Sequence, residues 1–590
     1  MPPSSPRYGV CSGRAGWAFE RKYAANRPLR HPLCHDSLIR TLRSGTPGLA
    51  VAAAIALYAC VTGLGASEAS PQPSATSVHF GAQQAELRAT PNIVVIMADD
   101  MRADDLRWMP SVRGLLVDRG AKFTNSFAPY PLCCPARASF LTGQYAHNHG
   151  VLSNRANFGF HAFDDTSTIG TDLHAAGYRT ALIGKYLNRY GEDPPPGEPV
   201  GVSSERYVPP GWTNWQGAPT VKEGPFKGSV YNYRKSTLNR NGQLVSLSGK
   251  YNTHAFGDIS VRIIERWAGS DTPFFLYASY LAPHFGLPAE PDDPDRIQVD
   301  RPRILARTAA VTDAVRGRFD GVITKPRGVA EADVSDKPTW FTQMPMATPR
   351  NRAAMVESAR QRAESLVVLD RQVERTVTAL RQAGELDQTV IVFTSDNGYF
   401  DGEHRIQYDK TLAYEPSLRV PLVIRGAGIP AGVLRHDPVM SIDLAPTINA
   451  LAGATADRLV DGRSMLRIAR NGDLGWTRAV LTATGPFISL ETWVKNSIRL
   501  ADSPFEDRPR FVLGLRTPRY AYFTWSTDEV ELYDMRTDPQ QLVSVDGNPE
   551  YADEEAELAA FLESVKTCAG VGCGAPLPPG LRGPSTGPPG

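Results

Sequence analysis

Two short apolar runs set the frame for this chain. "NIVVIMADD" at residues 92–100 and "TVIVFTSDNG" at residues 389–398 are rich in β-branched residues and stop abruptly at carboxylates. A continuous apolar run of this length offers no polar face to water, so each predicts a strand covered on both sides. Strands of that kind sit at the centre of a largely parallel sheet flanked by helices, which predicts an α/β fold. Ligands of open α/β sheets bind beyond the carboxyl ends of the strands. Asp99, Asp100, Asp396 and Asn397 are therefore expected at one sheet edge, where three carboxylates repel one another unless a cation joins them. Four oxygen ligands of this type suit Ca2+, or alternatively Mg2+. The plain alternative is that each acid caps the loop or helix that follows it; two strands ending alike favours the metal.

At 590 residues the chain exceeds what one core organises, which predicts two domains. Its 63 Lys and Arg offset 62 Asp and Glu, so the overall balance points neither to nucleic acid nor to a membrane surface. Arg40 and Arg43 precede "LAVAAAIALYACVTGLGA", a run too short and too rich in small residues for a stable membrane span. It reads as a signal peptide, with residues 1–66 a leader, cleavage near Ala66 and a polar linker over 67–90, and predicts a secreted or cell-envelope protein. "LYAC" at Leu57–Cys60 weakly resembles a lipoprotein box ending at Cys60, which Tyr58 fits badly.

Without that leader four cysteines remain. Cys568 and Cys573, in "CAGVGCG", are close enough to close a small loop and are expected to form a disulfide. Cys133 and Cys134, in "PLCCPARASFLTG", are left without a partner. On their own they could be small buried hydrophobes. Phe140 and Leu141 have helical spacing and Gly143 is a stop, so Cys133 falls at a helix N-terminus, where N–H groups and the dipole favour an anion. Arg137, one turn in, offers a planar fork for oxyanions. Lys185 in "ALIGKYLNRYG" and His284 in "LYASYLAPHFG" each follow a strand-like run and could reach the same edge, and Lys410 lies in "IQYDKTLAYE". Taken singly, the lysines could be solvated and the histidine structural.

Together these residues resemble the sulfatase family. Cys133-Cys134-Pro135-Ala136-Arg137 matches its Cys-x-Pro-x-Arg core, and the trailing Leu-Thr-Gly, Gly-Lys, Ala-Pro-His, Ser-Asp-Asn-Gly and late lysine follow in the family's order over about residues 91–575. "CCP", "HNH", "GKYLN", "TSDNGY" and the terminal Cys-x4-Cys look most like N-acetylglucosamine-6-sulfatases and related extracellular sulfatases. The resemblance implies an alkaline-phosphatase-like fold and conversion of Cys133 to Cα-formylglycine by a formylglycine-generating enzyme. It further implies Ca2+ held by Asp99, Asp100, Cys133, Asp396 and Asn397. Arg137 would steady the nucleophile and the metal carboxylates, and Lys185, His284 and Lys410 would bind the sulfate. Many family members carry a histidine two residues after the first lysine, where this chain has Leu187. His149, or His147, is expected to fill that space from the helix side, and His404 in "DGEHRIQ" to contact substrate.

A catalytic domain is thus expected over 91–465, including an amphipathic helix whose stripe is Leu366, Leu369, Val373, Val377 and Leu380, ended by Gly384. Residues 286–345 read as loops over the site. "RYAYFTWS" and "EVELYDM" predict an antiparallel sheet, covered by a helix over "DEEAELAAFLESV", in a subdomain over 476–573. The Pro/Gly-rich tail at 574–590 is expected to be disordered. The favoured activity is sulfuric ester hydrolysis on a sulfated sugar. The alternatives are an aryl sulfate or a phosphate or phosphonate monoester on the same scaffold, or a glycan-binding protein with an unmodified Cys133.

Overall fold

The structure is a computed structural model, and it describes residues 90–587 apart from 156–157, 295–307, 329–330, 340 and 485–511. The expected leader, its cleavage site and Cys60 lie outside the described residues, as does most of the linker. In chain order the first eight strands are β1 (Asn92–Ala98), β2 (Ala121–Phe123), β3 (Ser126–Phe127), β4 (Arg179–Gly184), β5 (Asn214–Gly217), β6 (Thr237–Arg240), β7 (Gln243–Ser246) and β8 (Phe274–Ser279). They are followed by β9 (Thr389–Ser395), β10 (Leu422–Arg425), β11 (Val433–Arg435) and β12 (Val439–Met440). Ten of these form one sheet in the order β11-β2-β10-β9-β1-β8-β4-β5-β6-β7. Its centre is parallel, with β1 between β9 and β8 and β4 beyond β8, whereas β10, β6 and β7 run antiparallel to their neighbours.

The two apolar runs are the central strands β1 and β9, paired from Asn92↔Thr389 to Ala98↔Ser395. Their side chains alternate between two cores. Val94, Ile96 and Ala98 pack with helices Asn252–Trp267 and Pro349–Gln382, while Ile93, Val95 and Met97 pack with helices Cys133–Thr142 and Leu444–Ala452 on the other face. Each buried Val, Ile or Met here contributes about 1.5–3 kcal/mol by leaving water. The stripe Leu366, Leu369, Val373, Val377 and Leu380 is fully buried, and Gly384 follows the helix with φ 73°. That helix begins earlier than its stripe, at Pro349, where Thr348 accepts from the Asn351 N–H.

Strands β13 (Val480–Thr484), β14 (Val512–Arg516), β15 (Tyr520–Trp525) and β16 (Val530–Asp534) form the expected antiparallel sheet. Helix Ala552–Val565 contributes Leu558, Leu562 and Val565 to the same core. Cys568 and Cys573 are disulfide-bonded, with S–S 2.00 Å. The tail departs from expectation. Pro576 and Gly583 bridge to Arg478 and Trp476, and Leu577 and Leu581 are buried, so residues 574–587 are ordered by edge pairing and two apolar anchors that composition hides. No helix among the described residues is long and apolar enough to cross a membrane.

Candidate active site

Four neighbouring strands each deliver a polar residue at or just beyond the carboxyl edge. β9 leads into Asp396 and Asn397, β1 into Asp99 and Asp100, β4 into Lys185, and β8 ends at Ser279, with His284 five residues on. Gly184 makes the exit of β4 possible. It has φ +90°, and a Cβ there would lie 2.1 Å from Ser279 O, so only glycine lets β4 stay against β8 while Lys185 turns inward. The Cys133 helix starts over this edge and ends at Gly143, φ 72°. Asn154 Oδ1 accepts from the Cys134 N–H at 2.9 Å, satisfying one free donor of its first turn.

All the acids and cations of the cluster are buried. Arg137 donates from Nε to Asp396 Oδ2 (2.8 Å), from Nη2 to Asp99 Oδ2 (3.2 Å) and from Nη1 to Ser279 Oγ (2.6 Å). Lys185 Nζ donates to Asp99 Oδ2, and Lys410 Nζ to Asp100 Oδ1. Asn397 Nδ2 donates to Asp100 Oδ1 (2.8 Å), and Asp396 Oδ1 accepts the Asp100 N–H (3.1 Å). Cys133 Sγ lies 3.5 Å from Asp99 Oδ1 and 3.8 Å from Asp100 Oδ1. His284 Nδ1 donates to Phe285 O (2.5 Å), which turns Nε2 to within 3.6 Å of Asp100 Oδ2. Asp100 holds its place with φ 64°, and its carbonyl accepts from Arg362 Nη2 (2.6 Å). A non-glycine residue in that conformation is kept there by its surroundings, as at many functional sites.

The electrostatics follow from burial and neighbours. Burial opposes ionisation of Asp99, but Lys185, His284 and Arg137 together hold its carboxyl below the usual range. Burial, reinforced by Asp99, pushes the Cys133 thiol well up, so the unmodified side chain is a neutral thiol and a poor nucleophile. Burial lowers His284 well below the ordinary imidazole value. Burial opposes the charge on Lys410 and Lys185, but their acidic neighbours acting together, led by Asp100 at Lys410 and by Asp99 at Lys185, hold both ammonium groups above the usual lysine range.

A hard cation fits this donor set. Asp100 Oδ2 and Asn397 Oδ1 are buried oxygens with no hydrogen-bond partner, and ligand atoms of Asp99, Asp100, Cys133 and His284 all lie within 4.8 Å of one another. Unsatisfied buried oxygens beside three carboxylates are what an oxygen-coordinated divalent ion would neutralise.

Nine of the ten expected site residues come together here: Asp99, Asp100, Cys133, Arg137, Lys185, His284, Asp396, Asn397 and Lys410. His149 does not. Its Nδ1 accepts the Val151 N–H (3.1 Å) and its Nε2 meets Ser139 Oγ (3.0 Å), so both ring nitrogens are spent holding the helix to the following turn. His147 is stacked on Tyr145 and bonded to Cys568 O at 2.8 Å. His404 is buried, stacked on Tyr414 and bonded from Nδ1 to Glu331 Oε2 at 3.1 Å, while its Nε2 has no hydrogen-bond partner among the described residues. Sequence reasoning missed Ser279, Tyr231 and Arg362. Ser279 could have been found as a polar strand end like the other two. Tyr231, whose ring is 5.0 Å from Lys185 Nζ and 5.3 Å from the His284 ring, gives no local signal.

A mixed, mostly parallel sheet carrying acids, lysines and a helix-start thiol at its carboxyl edge is an alkaline-phosphatase-like fold. The model of the Sulfatase family matches residues 91–454, and the chain belongs to that family; it is a hydrolase of sulfuric esters. It is similar to the arylsulfatase of Volvox carteri (29% identity, 82% of this chain and 75% of that protein). A similar identity, 29%, relates it to the N-acetylglucosamine-6-sulfatase of Capra hircus, over 83% of this chain and 86% of that protein. Against the extracellular sulfatase SULF-1 homolog of Drosophila melanogaster the identity is 32% over 64% of this chain, which spans only 31% of that protein. The fold matches a solved structure of BT4656 in complex with its substrate D-glucosamine-2-N,6-O-disulfate, with TM-score 0.60, 22% identity, and coverage of 80% of this chain and 97% of that one.

Proposed function

We propose that the chain is a secreted, Ca2+-dependent sulfatase that removes sulfate from a sulfated amino sugar, with Cys133 converted to Cα-formylglycine. One observation carries the reading: a helix-start thiol meets Asp99 and Asp100, beside buried oxygens of Asp100 and Asn397 that lack a hydrogen-bond partner, and Lys185, His284 and Lys410 converge on the same two carboxylates. The similarity to a curated N-acetylglucosamine-6-sulfatase over most of both chains supports the sugar, and the leader together with the extracellular relative supports export.

Asp99, Asp100, Asp396, Asn397 and residue 133 would hold the ion, which supplies a Lewis acid for a sulfate oxygen. A hydrated aldehyde at residue 133 would supply two hydroxyls on one carbon, one as the oxygen nucleophile toward sulfur and one able to lose its proton so that the C=O re-forms as the C–O bond to sulfate breaks. The chain's own residues do the rest. Arg137 fixes Asp99 and Asp396 by a fork and holds the helix over them. Lys185 and Lys410, both buried, would neutralise the sulfate oxygens. Lys410, kept protonated beside Asp100, is positioned to give a proton to the departing alcohol, and His284 presents Nε2 to the same atoms.

Mass spectrometry of the tryptic peptide "FTNSFAPYPLCCPAR" from native protein, paired with assays on N-acetylglucosamine 6-sulfate, tests this. An aldehyde at Cys133 and sulfate release lost in Cys133→Ala are expected; active protein carrying two ordinary thiols would refute it. The similarity to an arylsulfatase favours an aryl sulfate as the second reading. Relative kcat/KM on sugar and aryl sulfates, with aryl phosphate alongside, separates the two.

A further inference from the structure

The chain as a whole is almost neutral, yet residues 221–250 hold six basic residues, Lys222, Lys227, Arg234, Lys235, Arg240 and Lys250, against one acid, Glu223. The fold gathers these lysines beside the catalytic edge. Val221 and Gly228 pair to start a small hairpin, and the Ser229 N–H donates to Lys235 O at 3.0 Å, which brings the Lys227 and Lys235 limbs together. The Gly249 N–H donates to Arg234 O at 2.9 Å, placing Lys250 next to Lys235. Lys222 pairs with Glu192 at 3.1 Å, and Arg234 reaches Val311 O at 2.9 Å. Lys227, Lys235 and Lys250 are exposed and form no ion pair among the described residues. Between the two limbs sits Tyr231, in contact with Lys185 and His284, and its backbone accepts the Leu287 N–H at 2.7 Å, three residues past His284.

From this juxtaposition of unpaired lysines with a tyrosine in the sulfate pocket, we propose that the 221–250 segment is a docking track for a sulfated polysaccharide. The sugar being desulfated would occupy the pocket at Tyr231 while further sulfates of the same chain lie along Lys227, Lys235 and Lys250. The proposal rests on the sulfatase reading above and extends it from a sugar to a polyanionic polymer. Like charges lining a path to a pocket raise the local concentration and capture rate of such a chain, and the effect weakens as salt screens it.

The test uses formylglycine-bearing enzyme and a Lys227→Gln/Lys235→Gln/Lys250→Gln variant, with heparin as the polymer and N-acetylglucosamine 6-sulfate as the small ester. The variant's KM for heparin is expected to rise roughly tenfold at low salt with kcat kept, while the small ester is turned over unchanged. For the wild type, KM should rise with salt for heparin only. An unchanged heparin KM in the variant, with the small ester still hydrolysed, overturns the docking track and leaves the sulfatase reading intact. Equal displacement of heparin by duplex DNA and by a second sulfated glycan also overturns it, since the lysines would then hold any polyanion. Failure of the wild type on every sulfate ester refutes the earlier reading instead.

Discussion

Replacing Arg137 by Met tests whether its guanidinium is what allows three carboxylates to share one buried edge. The side chain is buried and is bonded to Asp99, Asp396 and Ser279. Met fills much of the same volume but leaves Asp396 without its cation and Asp99 with Lys185 alone, and removing one partner of a buried ion pair costs about 3–5 kcal/mol. Unfolding entropy near 2.1 cal/mol/K per residue gives about 1 kcal/mol/K for roughly 500 ordered residues, so the midpoint should fall by about 3–5 °C in a chelator. Saturating Ca2+ should recover part of that loss, because the ion neutralises the same oxygens, whereas Arg137→Lys should lose less in either condition. Differential scanning calorimetry with and without Ca2+ gives the answer. A midpoint within 1 °C of wild type in chelator would refute the assignment of Arg137 as the neutralising group. A loss that Ca2+ leaves untouched would refute a shared role with the metal.

Chelation of the wild type should abolish sulfate release and lower the thermal midpoint, and Asn397→Ala should raise the Ca2+ concentration for half-activity at least ~10-fold; an activity indifferent to EGTA would contradict the metal assignment. His149 is lowered to about 3 by burial, then His147 and Arg458, and its Nδ1 already accepts a backbone N–H, so it folds neutral. Its folded pKa lies below the unfolded 6.5, so the stability it contributes is complete above pH 6.5 and is lost towards pH 3, at up to about 1.4 kcal/mol per pH unit. His149→Gln should flatten that part of the stability profile, and superimposable slopes for the two proteins would count against it. Lys410 sits between Asp409 and Thr411, with φ 95° and 97°, and the Thr411 N–H is held by Ser417 Oγ at 3.1 Å. Ser417→Ala should therefore lower kcat by roughly tenfold with little change in KM, read from steady-state kinetics on the small ester; a change in KM alone would assign Ser417 to substrate binding.

What could be read from the sequence followed from periodicity and from strand ends. The unbroken apolar run in "NIVVIMADD" decided a two-faced burial, and burial decided where Asp99 and Asp100 emerge. The same logic found Asp396, Asn397 and Lys185, and the helix stop at Gly143 located Cys133. It failed where a residue's role depends on a partner far along the chain. His149 looked available, whereas its ring is spent on Ser139 and Val151. Tyr231 reaches the pocket from an irregular loop, and the tail after 574 orders by pairing with Trp476 and Arg478; neither leaves a local pattern. Composition described the tail correctly as Pro/Gly-rich, but two buried leucines outweighed it.

The pairing of β1 with β9 also sets a clock. Cys133 is fully enclosed in the finished fold, and the edge that encloses it is incomplete until Ser395 reaches Ala98. A ribosome adding 5–20 residues per second takes roughly 15–50 s to pass from residue 133 to residue 395. Any enzyme that must act on the Cys133 segment has that interval, before the last central strand arrives, in which the segment is still open chain. For the proposed conversion of Cys133, late synthesis of β9 would give the opportunity and closure of the sheet would end it.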